Sequence, residues 1–204
     1  MRLLANDARS RDGALALVSG RSLADLDGLF APLQLAAAGQ HGLERRDARG
    51  QVSRVSVCTA LLHQARTILE DVVIAHPGLL LEDKGAALAI HYRRAPELES
   101  LAYAAIAQAA ACLPEFHVQR GKCVWELKPR GISKGTAIRE LMTEAPFAGR
   151  TAVFAGDDVT DEDGFAVANE LGGISILVGK ARATCARFGL RGVAELLAWL
   201  GAGA

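Results

Sequence analysis

Short apolar runs alternate with helical patterns over much of the chain and predict a parallel sheet covered by helices. The runs at 14–18, 33–38, 151–155 and 174–178 have the length and composition of buried strands. Helical spacing or helix start signals mark 23–30, 133–144, 161–171 and 193–200, and residues 1–13 hold part of a helix. Because parallel strands are joined by helices, this alternation predicts an α/β core.

The middle of the chain has another order of elements. Helical spacing covers 56–74 and 96–113, and strands are predicted at 79–81, 86–92, 116–119 and 123–127. The resulting order of helix, two strands, helix and two strands predicts an independent α+β unit. We therefore expect a split core at 1–49 and 127–204 with an inserted domain at 50–126. The charged, turn-rich segment 45–54 is interpreted as a hinge.

Composition excludes several classes of protein. The 204 residues carry 23 basic and 23 acidic side chains, and this zero net charge argues against binding nucleic acid or an anionic membrane through bulk charge. No run of apolar residues has the length of a membrane span or a secretory signal. The four cysteines lie far apart and predict reduced thiols in a cytosolic protein: Cys58, Cys112, Cys123 and Cys185.

An acidic segment that follows an apolar strand is the strongest chemical signal. Five of the seven residues from 157 to 163 are acidic, and we call residues 156–163 the acidic loop. Carboxylates at the end of a strand repel each other unless a cation compensates them, and oxygen ligands suit Mg²⁺. An acidic first turn of a helix would also explain Asp161, Glu162 and Asp163, but it explains Asp157 and Asp158 less well.

Two further loops have chemistry suited to an anion. Lys134 follows Ser133, a predicted helix N-cap, and a lysine in the first turn opposes the helix dipole unless it balances a negative group. Ser19-Gly20-Arg21 follows a predicted strand and offers a hydroxyl and backbone N–H groups to a phosphate. Taken alone, Lys134 could be a solvated surface lysine and Ser19-Gly20-Arg21 an ordinary helix start.

In chain order these three strand ends carry a hydroxyl, a lysine and an acidic cluster, which resembles the second to fourth motifs of haloacid-dehalogenase-type phosphatases. Further segments make the chain similar to trehalose-6-phosphate phosphatases from about residue 14 to 200. These segments are Ala38-Gly39-Gln40-His41-Gly42-Leu43-Glu44-Arg45-Arg46, Glu82-Asp83-Lys84-Gly85, His91-Tyr92-Arg93, Trp125-Glu126-Leu127-Lys128-Pro129 and Gly164-Phe165. The resemblance implies a Rossmann-like core whose inserted domain is a cap, and a small sugar phosphate as the partner.

The same resemblance implies roles for individual residues. Ser19 would hydrogen-bond the transferring phosphoryl group, and Lys134 would neutralise its charge. Mg²⁺ would be bound by Asp157, with Asp158 and Asp161 as further carboxylates near the metal. The resemblance implies that sugar hydroxyls are gripped from the cap by Glu82, Lys84 and Glu126. It matches other residues to the core side of the substrate cleft: Gly20, Arg21, His41, Glu44 and Arg45.

The family's nucleophile and its acid/base belong to an Asp-x-Asp-Gly-Thr motif at the end of a first strand, and no such sequence precedes Ser19. Asp25-Leu26-Asp27-Gly28 is not preceded by a strand, and Asp161-Glu162-Asp163-Gly164 belongs to the acidic loop. We therefore expect a chain truncated at its N-terminus, lacking the first strand, and inactive in phosphate release by itself.

Three interpretations stay open at this point. The chain is part of an enzyme that hydrolyses trehalose 6-phosphate, or a non-catalytic protein that keeps a sugar-phosphate site, or part of a phosphatase for a related sugar phosphate. The truncation itself would come from a start codon called too late or from a gene remnant.

Overall fold

A computed structural model describes residues 2–202, which divide into two compact units. The first unit comprises the residues up to Arg54 and those from Ile132 onward, and the second is Val55–Gly131. The inserted domain that we placed at 50–126 thus corresponds to 55–131 in the structure. We call the first unit the core unit and the second the cap unit.

The first part of the core unit builds a four-stranded sheet. Its elements are α1 (Arg2–Ser10), β1 (Ala16–Val18), α2 (Leu23–Phe30), β2 (Ala36–Gly39), β3 (Glu44–Arg46) and β4 (Val52–Arg54). The strands lie in the order β1-β2-β3-β4, with β1 and β2 parallel and the other pairs antiparallel. Helix α2 occupies the predicted range, and Ser22 caps its first turn by accepting from the Asp25 amide.

Most of the segment 45–54, which was interpreted as a hinge, forms the hairpin of β3 and β4, and the boundary between the two units follows it at Arg54. Polar partners stabilise these charged strands. Arg46 donates two hydrogen bonds to the Asp27 carboxylate, at 2.7 and 2.8 Å, and another to the Leu35 carbonyl at 3.0 Å. A charged side chain can lie in a buried strand when its hydrogen bonds are satisfied in this way.

The cap unit has the predicted order of elements. These are α3 (Thr59–Ala75), β5 (Leu80–Asp83), β6 (Leu88–His91), α4 (Glu99–Ala110), β7 (Phe116–Gly121) and β8 (Val124–Pro129). The antiparallel sheet has the order β5-β6-β8-β7, and both helices pack into one apolar cluster with Leu88, Ile90 and Leu127. Since side chains alternate along a strand, the neighbouring residues of β6 and β8 lie on the opposite face of the sheet.

The second part of the core unit is a three-stranded parallel sheet with helices. It comprises α5 (Lys134–Leu141), β9 (Val153–Gly156), α6 (Glu162–Glu170), β10 (Ile174–Val178), β11 (Phe188–Leu190) and α7 (Val193–Ala202). The strand order is β11-β10-β9. Helices α5 and α6 pack against each other, and a shared cluster joins Ile138, Phe154 and Phe165. No helix of residues 2–202 is long and apolar enough to cross a membrane.

The parallel sheet of the core unit is interrupted between β1 and β9. Among residues 2–202, β1 pairs only with β2, and β9 pairs only with β10. The two sheets are nevertheless held together by packing, because Val18 of β1 contacts the cluster that contains Phe154 of β9 and Ile138 of α5. Each of these two strands therefore has one edge without a strand partner in the described chain.

Candidate active site

The loop after β1 lies against the turn that follows β2. The Ser19 carbonyl accepts a hydrogen bond from the His41 amide at 2.9 Å, and the Ser19 hydroxyl accepts one from the Arg21 amide at 3.1 Å. A Cβ atom on Gly20 would lie 2.6 Å from Nε2 of His41, so a side chain at this position would require the imidazole ring to move. The structure thus brings together Ser19, Gly20 and His41, while the Arg21 side chain is exposed.

The same turn contacts the start of α5. A Cβ atom on Gly42 would lie 3.0 Å from the Ser133 carbonyl oxygen, and Gly42 has a φ of 106°, which favours glycine. Ser133 caps α5 as predicted, since its hydroxyl accepts from the Thr136 amide. The ends of β1 and β2 and the start of α5 therefore lie next to one another in the core unit.

Lys134 connects α5 to the acidic loop. Its Nζ atom donates to Oδ1 of Asp161 at 2.7 Å, and both side chains are buried. The other oxygen of Asp161 accepts from the amides of Asp157 and Asp158, at 3.0 and 2.9 Å. Asp161 thus uses both carboxylate oxygens within the protein, which fixes the backbone of the acidic loop relative to Lys134.

Asp157, Asp158 and Asp163 of the acidic loop are exposed, whereas Glu162 is about three-quarters buried. Asp158 accepts from the Val159 amide at 2.6 Å, whereas in residues 2–202 the Asp157 carboxylate makes no hydrogen bond or ion pair. No group of three or more His, Cys, Asp or Glu side chains in the described chain is arranged to hold a metal ion. Two adjacent carboxylates suit Mg²⁺, which takes oxygen ligands and usually keeps several waters.

Glu44 and Arg45 have partners within the core unit. Glu44 is buried; one of its oxygens accepts from the Leu23 amide at 2.6 Å, and the other lies 3.5 Å from the Arg54 guanidinium. Arg45 makes two hydrogen bonds of 2.8 Å to Glu144. The hydrogen bond from Arg45 lowers the pKa of Glu144, although partial burial opposes this shift.

Residues of both Asp-x-Asp sequences of the chain make hydrogen bonds or ion pairs within the core unit. Asp25 accepts from the Ser22 hydroxyl at 2.7 Å, and this hydrogen bond lowers the pKa of Asp25. Asp27 lies in α2 and pairs with Arg46. Asp161 pairs with Lys134. The structure thus confirms that the first of these sequences lies on a helix and not at the end of a parallel strand.

The three predicted sugar-binding residues of the cap unit form one cluster. In the sheet register, Glu82 lies opposite Ala89, and Ala89 lies opposite Glu126, so the two glutamates share one face. Lys84 donates to the Glu126 carboxylate and lies 4.0 Å from that of Glu82. This face is opposite to the one that packs on α3 and α4.

His91 belongs to the same cluster, although sequence reasoning did not select it as a site residue. Its Nε2 atom lies 2.8 Å from Oε2 of Glu82. The signal that could have found it is the alternation along β6, which places His91 on the same face as Ala89. His117 also lies on this face, opposite Lys128. Burial, together with the charges of Lys128 and Arg130, lowers the pKa of His117.

Comparison with known proteins identifies the family. The family model described as Trehalose-phosphatase matches residues 1–193. The chain belongs to the trehalose-phosphatase family. It is 48% identical to the trehalose-6-phosphate phosphatase of Escherichia coli over 193 residues, which cover 95% of this chain and 72% of that protein. It is 45% identical to a probable trehalose-phosphate phosphatase of Sinorhizobium fredii over 171 residues, which cover 82% and 63% of the two chains.

Solved structures support the haloacid dehalogenase fold of this trehalose-phosphatase family member. The C-terminal domain of trehalose-6-phosphate phosphatase from C. albicans has a TM-score of 0.77 at 22% identity, covering 98% of this chain and 81% of the other. A protein described as related to trehalose-6-phosphate phosphatase has a TM-score of 0.76 at 28% identity, covering 98% and 83%. The fold predicted from the sequence, a Rossmann-like core with an inserted cap, is confirmed.

Proposed function

We propose that this chain provides the phosphate-binding, magnesium-binding and sugar-binding parts of a phosphatase that hydrolyses trehalose 6-phosphate to trehalose and phosphate. The observation that carries the proposal is the juxtaposition of Lys134, Asp161 and the acidic loop in a member of this family. Four unpaired cysteines favour a reducing compartment, and we place the reaction in the cytoplasm.

In the core unit, Ser19 and Lys134 are the groups that we assign to the phosphate. The Ser19 hydroxyl is held by the Arg21 amide at a strand end, where ligands of α/β sheets bind. Lys134 is a buried cation whose position is fixed by Asp161, so it needs no reorganisation when a phosphoryl group approaches. We assign Gly20, Arg21, His41, Glu44 and Arg45 to the lining of the same region.

Mg²⁺ is assigned to Asp157 and Asp158, and Asp161 positions the loop that carries them. The exposed Asp157 carboxylate is the available oxygen ligand in this loop. When bound, Mg²⁺ supplies positive charge to oxygens of the phosphate. The Asp161 carboxylate accepts hydrogen bonds from Lys134 and from the amides of Asp157 and Asp158, so the loop presents the other two carboxylates.

In the cap unit, we assign Glu82, Lys84 and Glu126 to the sugar hydroxyls. Paired carboxylates and an ammonium group offer both acceptors and donors, which is the chemistry that recognises the many hydroxyls of a disaccharide. The cluster carries two negative groups and one positive group, together with His91. We therefore assign the phosphate to the core unit and the uncharged part of the substrate to this cluster.

A second candidate function is the binding of a sugar phosphate without hydrolysis. Both Asp-x-Asp sequences that are present have partners that hold them elsewhere. A protein of these residues alone would bind a sugar phosphate without hydrolysing it.

Measuring phosphate release distinguishes the phosphatase from the non-catalytic sugar-phosphate binder. We expect no Mg²⁺-dependent release from trehalose 6-phosphate by the 204 residues alone. The same chain, extended at its amino end by an apolar strand ending in Asp-x-Asp-Gly-Thr, is expected to turn over. An Asp157→Ala variant of the extended chain is expected to lose this turnover.

Sucrose 6-phosphate serves as the competing substrate, because it carries the same phosphate on a different disaccharide. Preference of the extended chain for sucrose 6-phosphate would assign it to a related sugar phosphate. Binding of trehalose 6-phosphate without turnover by the extended chain would favour the non-catalytic interpretation. Turnover by the 204 residues that Asp157→Ala abolishes would refute the assignment of an absent nucleophile.

A further inference from the structure

Arg182 and Lys134 both contact the acidic loop, and each contacts a different group of that loop. The Nη2 atom of Arg182 donates to the carbonyl oxygen of Asp158 at 2.7 Å. The amide of the same residue, Asp158, donates to Asp161 at 2.9 Å. The peptide groups on both sides of the Asp158 Cα atom are therefore fixed, one through Asp161 and Lys134 and the other through Arg182.

The Arg182 guanidinium is itself held by Glu162. Its Nη1 atom pairs with the Glu162 carboxylate, and both side chains are about three-quarters buried, with exposures of 27% and 24%. Glu162 also accepts from the Cys185 amide at 2.7 Å and from the Thr184 hydroxyl at 2.9 Å. Burial raises the pKa of Glu162, but the hydrogen bonds from Cys185, Arg182 and Thr184 together lower it. Glu162 thereby joins the segment after β10 to the acidic loop.

We propose that Arg182 is a positioning residue for the metal site, acting through the Asp158 carbonyl and Glu162. This inference rests on the proposed function, because it concerns the carboxylates assigned to Mg²⁺. Arg182 does not offer an oxygen ligand, so its contribution is to fix the backbone that carries Asp157 and Asp158. Partners that orient metal ligands without touching the metal influence metal affinity strongly.

A role of Arg182 as a charge and a role in positioning the backbone predict opposite effects of its removal on cation affinity. The acidic loop carries five carboxylates, and in residues 2–202 the basic side chains that contact it are Lys134 and Arg182. If Arg182 acted only as a charge, its removal would make the loop more negative and would raise its affinity for a cation. If Arg182 positions the backbone, its removal lowers that affinity.

The test measures Mn²⁺ binding to the full 204-residue chain by electron paramagnetic resonance of the free ion. We expect Arg182→Ala to weaken binding about tenfold, as observed for partners of metal ligands. Arg182→Gln keeps an N–H donor without the charge and is expected to recover part of the loss. Arg187→Ala removes the same charge from an exposed position in the same segment and is the matched control.

Amide hydrogen exchange gives a readout that does not depend on a metal. Arg182→Ala is expected to speed exchange at the Asp157 and Asp158 amides, with exchange in β10 unchanged. Unchanged or tighter Mn²⁺ binding by Arg182→Ala, or an equal loss in Arg187→Ala, would overturn the inference, as would unaltered exchange at the loop. If the parent chain binds no Mn²⁺, the proposed metal site fails, and hydrogen exchange alone then decides whether Arg182 positions the loop.

Discussion

Lys134 and Asp161 form a buried ion pair at 2.7 Å that joins the start of α5 to the acidic loop. The two residues are far apart in the sequence, and each has a second connection that makes the pair rigid. Lys134 follows the N-cap Ser133, and Asp161 accepts from two backbone amides of its own loop. The candidate phosphate ligand and the candidate metal loop are therefore parts of one hydrogen-bonded unit.

Breaking this pair is expected to destabilise the core unit. Lys134→Met leaves Asp161 as a buried charge without its cation, and we expect a loss of about 3 kcal/mol in the free energy of unfolding, measured by urea denaturation. Lys180→Met removes an exposed lysine of the same unit and should change stability little. In a double-mutant cycle, Asp161→Asn should cost much less in the Lys134→Met background than alone. Strict additivity would show that the two side chains do not interact energetically.

The lysine of the cap cluster is expected to control recognition of the disaccharide. Lys84→Met leaves the Glu126 carboxylate without its ammonium partner and removes a donor for sugar hydroxyls. We expect calorimetry to show at least about a tenfold weaker affinity for trehalose 6-phosphate, the loss expected for a charged hydrogen bond. Lys122→Met, at an exposed lysine of the β7–β8 turn, serves as the control. Equal affinity of both variants would remove Lys84 from the proposed sugar site.

Substitution by alanine is expected to change the stability of the protein in opposite directions at two glycines. At Gly135 a Cβ atom would lie 2.5 Å from the Asp163 carbonyl oxygen, so Gly135→Ala must push α5 away from α6 and should cost about 1–3 kcal/mol. At Gly28, in α2, nothing lies within 4 Å, and Gly28→Ala should stabilise by about 0.5–1 kcal/mol through helix propensity. Thermal melts of both variants measure the difference, and a shift of the same sign in both would contradict the packing seen at Gly135.

His117 is expected to make the stability of the chain depend on pH. Its pKa is lowered mainly by burial and further by Lys128 and Arg130, so the unfolded chain binds a proton more readily. The neutral imidazole of His117 therefore makes its full contribution to the stability of the fold above the ordinary histidine pKa of about 6.5. This contribution is lost as the pH falls through the lower pKa of the folded state. Melting temperatures between pH 7.5 and 5 should fall less in His117→Gln than in the parent chain. Parallel curves for the two proteins would rule out His117 as the group responsible.

The open strand edges of the core unit are expected to make the chain associate. β1 and β9 each lack a strand partner on one side in the described residues, and Val153 of β9 is 46% exposed. Light scattering should rise with concentration, and Val153→Lys should reduce it because a charge at a strand edge opposes pairing. Val193→Lys changes a valine of 65% exposure at the start of α7 and should have less effect. A reversible melt of a monomeric parent chain would contradict this expectation.

Parts of the candidate site could be predicted from local sequence, and other parts could not. The acidic loop and Ser133 as N-cap carry signals within a few positions of themselves, whereas Glu82, Lys84 and Glu126 were indicated only by the resemblance to a family. Arg182 carries no such signal, because its partner Asp158 is brought to it by folding. For His91, the alternation along β6 indicates only the face of the sheet, and its partner Glu82 is brought to it by folding. Glu44 illustrates the same limit: the resemblance places it at the core side of the substrate cleft, and only the structure shows that its carboxylate accepts from the Leu23 amide at the start of α2.

The sequence by itself determined the elements whose signals are periodic and local. Helix α2 and strand β10 occupy their predicted ranges, and the cap unit has its predicted order of elements, because apolar spacing reflects which face of each element is buried. Only the tertiary structure decided that Glu44–Arg46 forms a strand and that Asp161 faces Lys134. A charged side chain can be stable either in contact with water or in an ion pair. Which of these environments it has depends on partners that folding brings from distant parts of the chain.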